Sequence, residues 1–270
     1  MLKTIKKLFW PITLASVIIA MPFFIFGILQ SFQVTQGAAE GDLVTEDTGI
    51  VEEPEEREEE KDEGYSVITL GDSLARGTGD EENLGFAGRT VTKLEDLLDL
   101  PVNHNNYAVD GLRTSEMLEL LNDQDFAEEL EKAQLIMISI GGNDVRSIQG
   151  LPAGEREEAY REIEEGYRED LDEIILGIRE ENPRALVVFL GLYNLDYTGQ
   201  TPEETELLLR WNAVTYQKIE GESNFVWIPV YDLFQFQLGE MLSQDQLHPN
   251  GLGYEKIAER IIEVITPYFQ

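Results

Sequence analysis

Cysteine is absent from the 270 residues, and histidine occurs only twice, at His104 and His248. The first absence excludes disulfides, thiolate zinc sites and a cysteine nucleophile together. The second leaves no basis for a His-rich metal site. Basic residues are scarce too: 20 Lys and Arg stand against 53 Asp and Glu, for a formal net charge of -33. Such a polyanion is repelled by nucleic acid, which is therefore not expected as a partner. Carboxylates are plentiful, yet no twelve-residue loop with alternating acidic ligands and a central glycine occurs, so no metal and no cofactor are assigned. What is present is 42% hydrophobic residues, enough for the core of one ordinary domain with additional segments.

The chain divides by composition. Leu8 to Leu29 is a run of 22 residues without a charge, preceded by Lys3, Lys6 and Lys7. As a helix it would span roughly 33 Å, enough to cross a bilayer. The lysines before it, with no further basic residue until Arg57, put the N-terminus in the cytoplasm and the rest outside. Residues 1–30 are therefore expected to be a transmembrane anchor, with the remainder at the extracytoplasmic face of the cell membrane. Cleavage near Gly37-Ala38-Ala39, which would release a secreted protein, is the alternative, although the run exceeds the usual length of about 7 to 15 for a signal peptide. Residues 31–64 read as an acidic, disordered linker: from Glu40 to Gly64 there are 13 acidic residues against Arg57 and Lys61. The remaining domain, residues 65–270, is itself acidic, with 40 carboxylates and 15 basic side chains.

Within that domain short apolar runs alternate with segments of helical period. Strands are expected at Ser66 to Leu70, Val102 to Tyr107, Leu135 to Ile140, Ala185 to Leu190 and Phe225 to Val230. Helices are expected at Leu84 to Leu98, Thr114 to Leu121, Glu155 to Glu181, Pro202 to Ile219 and Gly253 to Ile265. The third is the clearest, because Tyr160, Ile163, Tyr167, Leu171, Ile174 and Ile178 recur at spacings of three and four. The alternation predicts an α/β fold, a three-layer α/β/α sandwich around a five-stranded parallel sheet, with functional residues at the strands' carboxyl ends.

Two short segments carry chemistry. Gly71-Asp72-Ser73-Leu74 follows the first strand, and Asp245-Gln246-Leu247-His248 lies near the C-terminus. A serine hydroxyl becomes a nucleophile only when a base takes its proton, and the base needs a partner to fix its tautomer. An Asp three residues before a His can reach back to its ring nitrogen. Two further segments fall at equivalent places: Asn106-Tyr107-Ala108-Val109-Asp110-Gly111 after the second strand, and Ile140-Gly141-Gly142-Asn143-Asp144 after the third. Each has an ordinary structural use, Gly111 as a turn residue, Asn143 or Asp245 as a helix cap, His248 as a surface side chain. The first is also not the Gly-x-Ser-x-Gly elbow of the α/β-hydrolases.

Taken together, in this order, the four segments resemble the signature blocks of the GDSL or SGNH family of serine esterases and lipases. The resemblance covers about residues 65–270 and implies the flavodoxin-like SGNH-hydrolase form of the α/β fold. It makes Ser73 the nucleophile, His248 the general base, Asp245 its orienter, and Gly111 and Asn143 oxyanion donors, the Ser73 N–H being a third. The substrates it implies are carboxylic esters: lipid or lysophospholipid acyl esters, or O-acetyl groups of cell-wall glycans. A catalytically silent binding or scaffold protein with the same fold is the alternative. Leu192-Tyr193-Asn194-Leu195-Asp196-Tyr197 after the fourth strand, with Leu151-Pro152 nearby, are placed to line an acyl pocket, and Tyr193 and Asn194 are taken as substrate-binding. His104 is expected to be structural, Asp72 to shape the turn around Ser73, and Asp144 to order the loop beside Asn143.

Overall fold

Strands that are apolar on both faces belong between two layers of helices, because neither face can be left to water. The computed structural model, which describes residues 64–148, 151–193 and 201–270, has this arrangement. In chain order the elements are β1 (Tyr65–Gly71), α1 (Ser73–Arg76), α2 (Gly85–Leu98), β2 (Val102–Asn106), α3 (Thr114–Leu121), α4 (Gln124–Lys132), β3 (Leu135–Ser139) and α5 (Gly142–Arg146). They continue with α6 (Ala153–Glu181), β4 (Leu186–Leu190), α7 (Pro202–Ile219), β5 (Phe225–Ile228), α8 (Tyr231–Phe234), α9 (Leu238–Met241) and α10 (Gly251–Ile265), and a final 3-10 turn, Thr266–Phe269. The five strands are all parallel, in the order β2-β1-β3-β4-β5.

Alternate residues of β1, β3, β4 and β5 feed two cores, while the polar edge strand β2 contributes only Val102. Ile68, Leu70, Ile136, Ile138, Val187 and Phe189 pack with α3, α4, α6 and α7 on one side. Val67, Leu135, Met137, Val188, Leu190 and Ile228 pack with α2 and α10 on the other. The helical stripe expected from the sequence faces the first core: Tyr160, Tyr167, Leu171, Ile174 and Ile178 are buried and Ile163 partly so. Tyr167 stacks on the fully buried Trp211 of α7. Trp227 packs at the margin of the same core, and His104 bonds through Nε2 to Thr69 Oγ1 at 2.9 Å on the neighbouring strand, a structural use.

The strand order reverses direction between β1 and β3, and in such sheets the crevice at the carboxyl ends beside this point is where ligands bind. Gly71 lets the two strands close there. Its φ is +128°, and a Cβ added to it would lie 1.8 Å from the Ser139 carbonyl oxygen. Asp72 N–H then bonds the same carbonyl at 2.9 Å, which turns the chain into Ser73.

Three expectations need correction. The turn that Asp72 was expected to shape around Ser73 is the start of a single helical turn, α1, capped by Asp72 and closed by Gly77 at φ +90°. Gly142 and Asn143 likewise lie inside the short helix α5, capped by Gly141 rather than by Asn143. Helix α4 was not expected, because only Phe126 and Leu130 of its residues are buried; its signal was Asp123, whose side chain accepts the N–H groups of Asp125 and Phe126. The run read as a membrane anchor and all of the acidic linker except Gly64 lie outside the described residues. Among the described residues no helix is long and apolar enough to cross a membrane.

Candidate active site

The helix α1 begins at Ser73, and the first N–H groups of a helix have no partner within it. Asp72 takes one of them, its Oδ1 accepting from Leu74 N at 3.0 Å, while Ser73 N–H has no acceptor among the described residues. The Ser73 side chain is half-buried and meets His248 Nε2 at 2.8 Å. The opposite ring nitrogen, Nδ1, lies 2.6 Å from Asp245 Oδ2. Ser, His and Asp thus form one continuous chain of hydrogen bonds, although 175 residues separate Ser73 from His248.

The segment that carries His248 is a loop closed on itself. Ser243 N donates to His248 O at 2.8 Å and Asn250 N to Met241 O at 2.9 Å. Inside it Asp245 Oδ1 accepts from Leu247 N and His248 N, both at 2.9 Å, and from Ser243 Oγ at 2.7 Å. Partial burial raises the Asp245 carboxyl, but the His248 ring, these two N–H groups and the Ser243 hydroxyl outweigh it and hold the group well below the usual carboxylate range. Asp245 therefore remains an anion facing the imidazole. Asn250 caps α10 by accepting from Gly253 N and ties the loop's other end by donating to Glu240 O and Leu242 O.

Asn143 projects from α5 with Nδ2 donating one hydrogen to Leu112 O at 2.9 Å. An amide nitrogen carries two hydrogens, so the other is free for a ligand. Asp144 orders the neighbouring loop, as expected: its Oδ2 accepts from Thr114 N at 3.2 Å and Thr114 Oγ1 at 2.9 Å. Gly111, at φ +81°, sits in that loop, and a Cβ there would meet nothing within 4 Å. On one side Asp110 holds the loop to α1 and its turn, accepting from Arg76 Nη1 at 3.0 Å and Thr78 Oγ1 at 2.6 Å. On the other side Leu112 holds Asn143. Asp110, Ser243 and Asn250 were not legible as site supports; of these only Asn250, just before α10, had a sequence signal.

Ser73, Asn143 and His248 line a cleft of about 40 Å³ together with Asp72, Leu74, Gly142, Arg146, Leu192, Tyr193 and Leu247. Gly111 is not among the lining residues; its neighbour Leu112 bonds the lining residue Asn143. Tyr193 is buried, stacks on Phe234 and donates its hydroxyl to Leu247 O at 2.6 Å, so it fixes the wall beside His248. Leu151 packs against the core instead of lining the cleft. Asn194 and the rest of its loop to residue 200 lie outside the described residues.

The sequence model of the GDSL-like lipase/acylhydrolase family matches residues 69–256, the span that carries all of these groups. The chain belongs to this family. It is 32% identical over 203 residues to the spore germination lipase LipC of Bacillus licheniformis, covering 71% of this chain and 92% of that one. With protein YpmR of Bacillus subtilis it shares 29% over 206 residues, 74% of this chain and 80% of the other. Among solved structures, the lipase Lip_vut3 from a goat rumen metagenome superimposes with a TM-score of 0.65 at 30% identity, covering 74% of this chain and 96% of that one. The acetylxylan esterase Axe2 of Geobacillus stearothermophilus has a TM-score of 0.58 at 18% identity, covering 74% and 94%, a likeness of fold. The chain is therefore a hydrolase of the GDSL-type esterase and lipase class.

Two other carboxyls, Asp72 and Asp80, are buried where that of Asp245 is exposed. Burial pushes Asp72 up to about 7, against hydrogen bonds from Leu74, Ala75 and Ser139 that favour its anion. Its folded form thus binds a proton more tightly than its unfolded form. The resulting stability is present below about pH 4 and is lost as the pH rises through about 7. Asp72→Asn should therefore gain in melting temperature relative to the native chain between pH 4 and pH 8; a difference independent of pH would contradict this.

Asp80, also fully buried, accepts from Glu82 N, Leu84 N and Gly85 N and pairs with Arg89 Nη2 at 2.9 Å. Next to it Gly79 packs so closely on the His248 loop that a Cβ would lie 2.8 Å from His248 Cβ. Asp80→Ala leaves Arg89 Nη2 and three N–H groups without their acceptor, Arg89 keeping only its bond to Glu82, and should cost about 3–5 kcal/mol, read by chemical denaturation. A loss below about 1 kcal/mol would show that water replaces the carboxylate.

Proposed function

We propose that this protein is a serine esterase that hydrolyses carboxylic esters through an acyl-enzyme on Ser73. The observation that carries the reading is the hydrogen-bonded chain from Ser73 Oγ through His248 to Asp245, at 2.8 and 2.6 Å. His248 Nε2 takes the Ser73 proton as Oγ attacks the ester carbonyl. The oxyanion that forms accepts hydrogen bonds from Ser73 N–H, Asn143 Nδ2 and Gly111 N–H. His248 then returns the proton to the departing alcohol. Water, deprotonated by the same imidazole, releases the acid in a second passage through the oxyanion state. Asp245 holds Nδ1 protonated throughout, so that Nε2 is the basic nitrogen.

The size of the cleft supports a short acyl group. About 40 Å³ is room for a few water molecules, enough for an acetyl group against Leu192, Tyr193 and Leu247. O-acetylated glycans are the substrate class that fits this wall. Longer lipid acyl esters are the second reading, favoured by the relative named as a lipase. The N-terminal run and acidic segment support an anchored, extracytoplasmic enzyme with the linker as its tether.

Hydrolysis of p-nitrophenyl esters from acetyl to palmitoyl by the full chain should be fastest for acetyl and absent in Ser73→Ala. Preference for palmitoyl would favour the lipase reading, and no Ser73-dependent hydrolysis would favour a silent binding protein. Asn143→Ala should lower kcat about 100 to 1000-fold, as loss of one oxyanion donor does elsewhere. A loss below tenfold would mean that Asn143 serves only to hold Leu112. Cell fractionation should find the full chain with membranes and a chain lacking residues 1–35 in the soluble fraction. Release of a product lacking 39 residues would indicate cleavage instead.

A further inference from the structure

Arg146 ends α5 three residues after Asn143, a spacing that puts two side chains on one helix face. It lines the cleft with Ser73 and His248, and it is exposed. Among the described residues it has neither a hydrogen bond nor an ion pair. Most arginines of the domain do hold an acceptor, Arg161 and Arg179 on backbone carbonyl oxygens. Arg76, Arg89, Arg156, Arg168, Arg210 and Arg260 each hold a carboxylate, as is expected where acidic side chains outnumber basic ones so heavily.

Among the described residues the carboxyls around the cleft are engaged elsewhere: Asp245 with His248, Asp144 with Thr114, and Asp72 buried beneath α1. The guanidinium is thus left facing the position of a bound ester. Its planar fork of donors suits phosphate or carboxylate oxygens. In the esterase reading the acyl group lies against buried Leu192 and Tyr193, apolar surroundings that do not suit an anion. An anion at Arg146 therefore belongs to the alcohol side.

We propose that Arg146 is a specificity-determining residue that receives a phosphate or carboxylate on the alcohol moiety, making short-chain O-acyl esters of anionic polyols the preferred substrates. The inference rests on the esterase reading above. It also accounts for how an anionic substrate is held by a domain whose general field repels it: the attraction is local and the repulsion is screened over about 10 Å at ordinary ionic strength.

The test compares three acetyl esters on one three-carbon frame, 1-acetylglycerol, 1-acetylglycerol 3-phosphate and 3-O-acetylglycerate, with the full chain and its Arg146→Gln and Arg146→Lys variants. The native chain should prefer one or both anionic esters, phosphate or carboxylate being assigned by the larger preference. In Arg146→Gln the ratio of kcat/KM for the anionic ester to that for the neutral ester should fall about tenfold or more, mainly through KM, and Arg146→Lys should restore part of it. A ratio unchanged within twofold, or no preference in the native chain, would overturn the proposal. Absence of Ser73-dependent hydrolysis for all three esters would instead bring down the esterase reading, and this inference with it.

Discussion

Replacement of Ser73 by alanine is expected to lower kcat about a million-fold, the scale seen when a triad nucleophile is removed. Among the described residues no other hydroxyl bonds His248 Nε2, and the remaining oxyanion donors cannot act without an attacking atom. The fold should be indifferent to the change. Ser73 Oγ is half-buried, its hydrogen bond is to His248, and alanine is a good helix former at the first position of α1. Steady-state hydrolysis of p-nitrophenyl acetate and a denaturant melt on the same preparation check both halves. Activity within tenfold of the native chain would remove Ser73 from the mechanism, and a large loss of stability would show that the hydroxyl has a structural use.

The second large effect is that of Asp245→Asn, expected to lower kcat about ten-thousand-fold. The asparagine can keep the Oδ1 bonds to Leu247 N, His248 N and Ser243 Oγ, so the loop should hold its shape. What changes is the atom facing His248 Nδ1. An amide NH2 in place of Oδ2 donates, so Nδ1 must accept and the ring proton moves to Nε2. The nitrogen facing Ser73 then carries a hydrogen and cannot take another. A loss below tenfold would mean that the imidazole's tautomer is set by something other than Asp245.

Much of this site is legible in the sequence because its groups sit where strands end, and strand ends are marked by strong local signals. The run Val67 to Leu70 before Gly71, and Leu135 to Ile138 before Gly141, announce buried parallel strands by composition alone. Helices α3 and α7 were bounded correctly for the same reason: a regular apolar stripe, and in α7 the capping box of Thr201 and Glu204 with Pro202 at the first helical position. What was not legible depends on contacts distant in sequence. Asp110 reaches back more than thirty residues to Arg76 and Thr78, and Asp80 forms its ion pair with Arg89 only because α2 packs beside its turn. Arg146 stood out even less, since a lone arginine signals nothing until the cleft beside it, and its lack of a partner among the described residues, are seen. The helical state of Ser73 and Asn143 was hidden by their glycine neighbours, which here begin and end single turns instead of forming loops.

The central claim is that Ser73 becomes acylated. Brief exposure of the native chain to p-nitrophenyl acetate, an acid quench and peptide mass spectrometry should place one acetyl group on the peptide that carries Ser73. The same treatment of Asp245→Asn should yield little of it. Turnover without any acetyl on Ser73, or acetylation at another residue that persists in Ser73→Ala together with activity, would contradict the account.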